Sequence, residues 1–288
     1  MNEPTPHDIN SRRAFLKKTS GAIAGAAAMQ ALSSTTVTAQ PKSTEGKFLL
    51  GNYKLDSGAV LSDAILGYET HGDLNADRSN VILYPTWYTG RHMDNRAAIG
   101  VGRALDPSKY FIIVPDMFGN GLSSSPTNTP SPHDRGRFPL TTTYDNIRAQ
   151  KRLCEEVFGI KRIRSVVGFS MSAQQAFHWA AVYPDMVQSI APICGTAKTS
   201  PHDWLHLEGM KRALQADSKW ANGDYEKPPE AGLRAFHTVS CGWFLSQTYF
   251  RNGKYKSFLG TNAKTVADFI ENVISLFSYN DANNLLAM

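Results

Sequence analysis

Cysteine is scarce in this 288-residue sequence: there are three, Cys154, Cys194 and Cys241. An odd number cannot all pair, and none of the three stands at metal-ligand spacing. A disulfide framework and a thiolate metal site are therefore excluded, and buried free thiols are expected, since each sits among apolar or small residues. Internal repeats and sustained heptads are missing too, which excludes an array or a coiled coil. Apolar runs long enough to cross a bilayer are likewise absent, so no stable membrane insertion is expected. Basic charge is present but not concentrated. The formal net charge is +5, yet outside residues 1–39 there are 26 basic and 23 acidic side chains. These are scattered, without a stripe or aromatic interleaving, which argues against nucleic acid as a partner. What the chain does have is a composition of 42% hydrophobic and 19% charged residues, enough for one sizeable core.

The basic excess sits largely at the N-terminus. "SRRAFLKK" at Ser11–Lys18 precedes the weakly apolar "TSGAIAGAAAMQAL", and "VTA" at Val37–Ala39 places small residues before a cleavage point at Gln40. The segment 1–39 resembles a twin-arginine export signal, matching at both arginines, Phe15, Leu16 and Lys17. It implies a periplasmic destination and export in the folded state, with no reliance on disulfides.

Beyond a polar linker at Gln40–Lys47, "KFLLGNYKL" and "AVLSDAILGYETHG" read as two antiparallel strands punctuated at Asp56–Gly58. "NVILYP", "YFIIVPD", "IRSVVGF" and "MVQSIAPIC" are short apolar runs suited to strands buried on both faces. Helices are expected around Arg96–Leu105 and over "TTYDNIRAQKRLCEEVFG". Thr142 or Thr143 caps the latter, Ile147, Cys154, Val157 and Phe158 share its buried face, and Gly159 ends it. Strands alternating with helices predict an α/β fold with a mainly parallel sheet, whose site lies at the carboxyl ends of the strands. From about Ser200 the pattern turns helical, and Trp204, Trp220, Trp243 and Phe244 are expected to pack as a cap over the sheet. This organisation gives a core over 40–199 and a cap over 200–288 within which the chain ends.

One turn carries chemistry. In Gly168-Phe169-Ser170-Met171-Ser172, a serine stands at the tip between a β-branched strand and a helix faced by Ala173, Ala176 and Ala180. Such a turn strains the serine backbone, projects its hydroxyl, and puts the Met171 N–H at a helix N-terminus that favours negative charge. Ser170 is thus the candidate nucleophile and Met171 a candidate oxyanion donor. A second donor is expected from "TWYTGRH", where Tyr88 or Trp87 presents its N–H or floors a pocket. Ser172 stands where the motif wants glycine, a departure small enough to be tolerated.

With these residues in hand the chain resembles the homoserine O-acetyltransferase-like branch of the α/β-hydrolases from roughly Phe48 to Met288. The likeness rests on "YTG", "PLTTTYDNIRAQKRL", "VVGFSMSAQQAFHWAAVYPD", "ALQADSKWANGDYEKPPEAGLRAF" and "FSYNDANNLLAM" in that order. It implies an α/β-hydrolase fold with a helical cap and a Ser–Asp–His triad. It also implies Ser170 as nucleophile with Met171 and Tyr88 as backbone donors, no cofactor, and a dimer formed through the cap. Phe169 and Ser172 replace glycines usual in the transferases, which aligns the chain with esterase-type relatives.

In that family the acid and base follow the cap, and the final strands with them are expected beyond Met288. Among residues present, His178 stands too far along the nucleophile helix to act as base. His202 and His206 begin the cap, and Asp203 beside them is adjacent in sequence only. Asp185, Asp217, Asp224, Asp268 and Asp281 have no positional claim. The expected function is a serine esterase acting on a small acyl ester. Two alternatives stay open: an acyl-CoA-dependent O-acetyltransferase, and a non-catalytic hydrolase-like binding protein.

Overall fold

The computed structural model describes residues 42–288, so the export signal read on 1–39 lies outside the described residues. Strands β1 (Ser43–Lys54) and β2 (Val60–His71) form the expected antiparallel hairpin, turned through Leu55–Ala59. β1 begins inside the stretch read as a linker. Ser43–Lys47 are polar, but they lie on an exposed edge strand, where the backbone ladder to Gly67–His71 needs no apolar side chain. Strands β3 (Val81–Leu83), β4 (Phe111–Pro115), β5 (Ser165–Phe169) and β6 (Ile190–Ile193) follow.

The sheet order is β1-β2-β4-β3-β5-β6, with the last four strands parallel and β2 antiparallel to β4. β3 and β4 are wholly buried, which is why they read as unbroken apolar runs. Leu66, Leu83, Ile113, Ile147, Val166 and Trp179 anchor the core beneath them.

Helix α1 (His92–Asn95) is a single turn that passes into a 3₁₀ turn at Arg96–Ala98. The helix expected over Arg96–Leu105 does not form. Asp106 captures the Gly102 N–H at 2.8 Å, and Ile99 bridges Leu105, closing a loop instead. Helix α2 (Thr143–Arg152) is capped by Thr142 in a capping box with Asp145. It then widens into a π turn at Leu153–Val157, whose extra residue rotates the buried face. Leu153 and Cys154 are buried, whereas Val157 points out at 43% exposure. Gly159, at φ 63°, ends the turn in the left-handed conformation that a side chain would strain.

Helix α3 (Met171–Val182) follows β5 directly. Helices α4 (Pro201–Gln215) and α5 (Glu230–Phe244) come next, then α6 (Gln247–Arg251), α7 (Val266–Leu276) and α8 (Ala282–Ala287). The chain divides into two compact units. Leu245–Val273 packs Phe250, Tyr255 and Phe258 around Phe269. The other unit, among the described residues, spans 42–244 and Ile274–Met288 and holds the sheet.

Within that second unit Met210 and Leu214 of α4, Phe236 of α5 and Ala282 and Leu285 of α8 form an apolar cluster that includes Tyr88 and Trp220. Trp204, Trp243 and Phe244 do not join it and remain exposed; Trp243 lies on the same stripe of α5 as Phe236 but packs against His202 and His206 instead. The thiol expectation also needs one correction. Cys154 and Cys241 are buried, but Cys194 is exposed, because it follows β6, which pairs only with β5 among the described residues.

Candidate active site

Ser170 stands between the last residue of β5 and the first of α3, at φ 56° and ψ −126°. A residue with a side chain adopts that backbone only when its surroundings over-determine it, and the surroundings do. The Ser170 N–H donates to the Ile193 carbonyl of β6 at 3.0 Å, and its own carbonyl accepts from Ala173 at 2.9 Å. A Cβ on Gly168 would fall on the backbone of Ser172 and Ala173, so the close approach of strand and helix requires glycine there. The small face of α3 is realised: Ala173 and Ala176 are fully buried.

Met171 is the first residue of α3, so its N–H has no acceptor in a preceding turn. Tyr88 lies in the loop that leaves β3, the strand paired in parallel with β5. The loops after β3 and β5 therefore emerge side by side at one end of the sheet. Neither the Met171 nor the Tyr88 N–H finds an acceptor among the described residues. The Tyr88 phenol donates to the Leu285 carbonyl at 2.8 Å, and burial pushes its pKa up. Its side chain is thus committed to the helical cluster while its backbone stays in the loop. Trp87 packs edge-on against Phe169 at 6.1 Å between ring centroids.

A buried polar network joins that loop to the start of α3. Ser172 Oγ donates to the Pro85 carbonyl at 2.6 Å, and Gln175 Nε2 donates to the Thr86 carbonyl at 2.9 Å. Gln150 of α2 donates to Gln175 Oε1 at 2.7 Å and accepts from Trp179 Nε1 at 2.9 Å. Asn95 Nδ2 donates to the Tyr84 and Pro85 carbonyls. Thr86 uses every polar group it has: its N–H donates to Pro115, its carbonyl accepts from Gln175, and its hydroxyl accepts from the Met117 N–H. Sequence reasoning missed these partners. The available signal was three amide side chains, Asn95, Gln150 and Gln175, in segments otherwise destined for the interior.

No described imidazole hydrogen-bonds the Ser170 hydroxyl. His178 lies along α3, its pKa lowered by burial. His206 stacks on Trp243 at 4.6 Å and His202 packs tilted against the same ring at 4.3 Å, while Asp203 is spent on the Ser200 cap of α4. His237 stacks on Phe277, and burial lowers its pKa to about 4.

One His–Asp pair does exist and was not foreseen. His92 Nδ1 lies 2.7 Å from Asp116 Oδ2, and the His92 and Asn120 donors both reach Asp116 Oδ1. Burial pulls the imidazole down, but the bond and charge of Asp116 outweigh it and leave its pKa raised. The other ring nitrogen faces Glu45 of β1 at 3.6 Å, and β1 is separated from β5 by three strands in the sheet order. The pair therefore belongs to a charge cluster with Arg96 and Glu69 instead of to Ser170.

Over residues 80–287 the chain matches the alpha/beta hydrolase fold family. It is 40% identical over 245 residues to the ethyl acetate hydrolase of Pseudomonas veronii, covering 83% of this chain and 69% of that protein. Homoserine O-acetyltransferase of Zymomonas mobilis is 34% identical over 227 residues, covering 69% of this chain and 58% of that protein. Among solved structures, an acetylester hydrolase from Corynebacterium glutamicum superposes with a TM-score of 0.80 at 37% identity, covering 85% of this chain and 70% of that one.

Proposed function

The chain belongs to the α/β-hydrolase fold family and is of its esterase type, and on that premise we propose that it cleaves small acetate-type esters through an acyl-enzyme on Ser170. In this reading Ser170 Oγ attacks the acyl carbon and its proton passes to a general base, a role that no described imidazole takes at Ser170. The oxygen of the tetrahedral intermediate sits between the N–H groups of Met171 and Tyr88. The alcohol then leaves with a proton, and water repeats the attack to release the acid.

The observation that carries the reading is the strained backbone of Ser170 at the strand-to-helix tip, with an unclaimed N–H directly after it. The export signal read on the segment 1–39 supports ester hydrolysis over transfer from acyl-CoA, because that acyl donor is a cytoplasmic metabolite. The O-acetyltransferase reading is supported by the Zymomonas mobilis relative. Neither imidazole of the α4 start bonds Ser170, which supports a third reading, a pocket that binds esters without turning them over.

One comparison separates them. The protein is expected to hydrolyse 4-nitrophenyl acetate and to carry an acetyl group on Ser170, and Ser170→Ala should lose at least about 10³-fold in kcat. Activity confined to acetyl-CoA with homoserine would replace the esterase by the transferase. Equal ester binding by parent and Ser170→Ala with turnover by neither would leave the binding protein standing.

A further inference from the structure

From the geometry we infer that Ser172 and Gln175 are positioning residues: from the first two turns of α3 they hold the carbonyls of Pro85 and Thr86 and so fix, relative to Ser170, the loop that presents the Tyr88 N–H. The inference rests on the reading of Ser170 as nucleophile and adds a role that the motif does not assign.

An oxyanion site built from two segments works only if both donors keep one spacing through the reaction, since the gain comes from dipoles that need no rearrangement. Met171 is fixed because it opens a helix. Tyr88 sits in a loop whose other ties run to Asn95, Pro115, Met117 and Leu285, none of them on the helix that carries Met171. The structure supplies one from the nucleophile side. Ser172 is two residues after Ser170 and Gln175 five, so the helix that carries one donor also grips the backbone that carries the other.

Both tethers are fully buried, and the Ser172 bond, at 2.6 Å, is at the short end for a hydroxyl donor. Gln175 cannot drift either, because Gln150 holds its oxygen and Trp179 holds Gln150. A glycine at position 172 would leave the turn as compact but could donate nothing to Pro85. The departure from the motif thus replaces a merely permissive residue with a tether.

The test uses Ser172→Ala, which deletes one hydroxyl without changing the turn, and Gln175→Met, which keeps volume and loses both amide bonds. Ser189→Ala is the control. It removes a bond of the same kind, Ser189 Oγ to the Arg164 carbonyl at 2.8 Å, at the opposite end of β5. Two readouts are taken together: kcat and KM on 4-nitrophenyl acetate, and hydrogen exchange at the Thr86 and Gly90 amides, which are bonded to Pro115 and Trp87.

Each tether variant is expected to lower kcat roughly tenfold or more with KM within about twofold, and to speed exchange at both amides, while the control moves neither. Unchanged kcat, or a fall in kcat without faster exchange, overturns the inference. If the parent shows neither turnover nor an acetylated Ser170, it is the nucleophile reading that fails. The exchange rates then decide the tether by themselves: acceleration upholds it and parity overturns it.

Discussion

Gly168 has no room for a methyl group, and this single absence shapes the turn. Any Cβ there meets the Ser172 carbonyl and the Ala173 nitrogen, which are backbone atoms of a helix end and cannot swing aside. Gly168→Ala should therefore cost about 2 kcal/mol or more of stability, read as a lower urea midpoint with an unchanged slope. This residue was legible in the sequence because a strand–serine–helix pattern demands glycine for a stated steric reason. Ser172 was legible only as a departure. Its partner is a main-chain oxygen 87 positions away, and main-chain acceptors carry no sequence signature. The His92–Asp116 pair was hidden for a related reason: its members lie 24 residues apart, one opening α1 and the other just after β4, and only the sheet order determines their approach.

At the scale of elements, α2 shows what patterning reads well and where it stops. Its N-terminus follows from Thr142 and Asp145, which close a reciprocal box. Asp145 does more than cap. One oxygen accepts from the Asp56 N–H in the β1–β2 turn at 2.8 Å and faces Arg148 at 2.6 Å, so the helix start also clamps the hairpin. Thr142→Ala is expected to cost about 1 kcal/mol. Asp145→Ala should cost roughly 3 kcal/mol, because it also strands Arg148 and the hairpin amide. Thermal unfolding of both variants checks the order. The far end of α2 misled the periodicity argument, since a π turn adds a residue without announcing itself in composition. The strands β3 and β4 were legible because burial on both faces leaves only apolar choices, whereas β5 alternates buried and half-buried residues and the exposed start of β1 had no such constraint. The cap aromatics failed in the opposite sense: spacing placed Trp204 and Trp243 on helices but did not say which face would be covered.

For the whole molecule, the charge cluster supplies one part of how stability responds to pH. Burial alone would raise the Glu69 carboxyl, yet its bonds to His71 and Arg96 hold it at about 2, below its ordinary 4.5. A depressed carboxylate contributes stability above its unfolded value, lost as pH falls from about 4.5 toward 2. The raised His92 contributes below its ordinary 6.5, and that part is lost as pH climbs through the higher folded value. The cluster's own contribution is therefore fullest between about 4.5 and 6.5 and declines on both sides, whereas His237, buried neutral with its pKa lowered to about 4, adds a separate loss of stability as pH falls from about 6.5 toward 4. Urea midpoints measured from acid to alkaline pH test this. Glu69→Gln should flatten the acid limb and Asp116→Asn the alkaline one, and a profile unchanged by either would reject the assignment.

The two tethers from α3 end on carbonyl oxygens of the main chain, and that has an evolutionary consequence. A bond to a peptide oxygen is indifferent to the side chain beside it, so Trp87 can be exchanged during divergence without loosening the loop. Ring packing against Phe169 would change, and the register of the two N–H groups would not. Such a loop separates what is inherited from what is free to vary: its position descends with Ser172 and Gln175, while its lining is open to selection for new substrates.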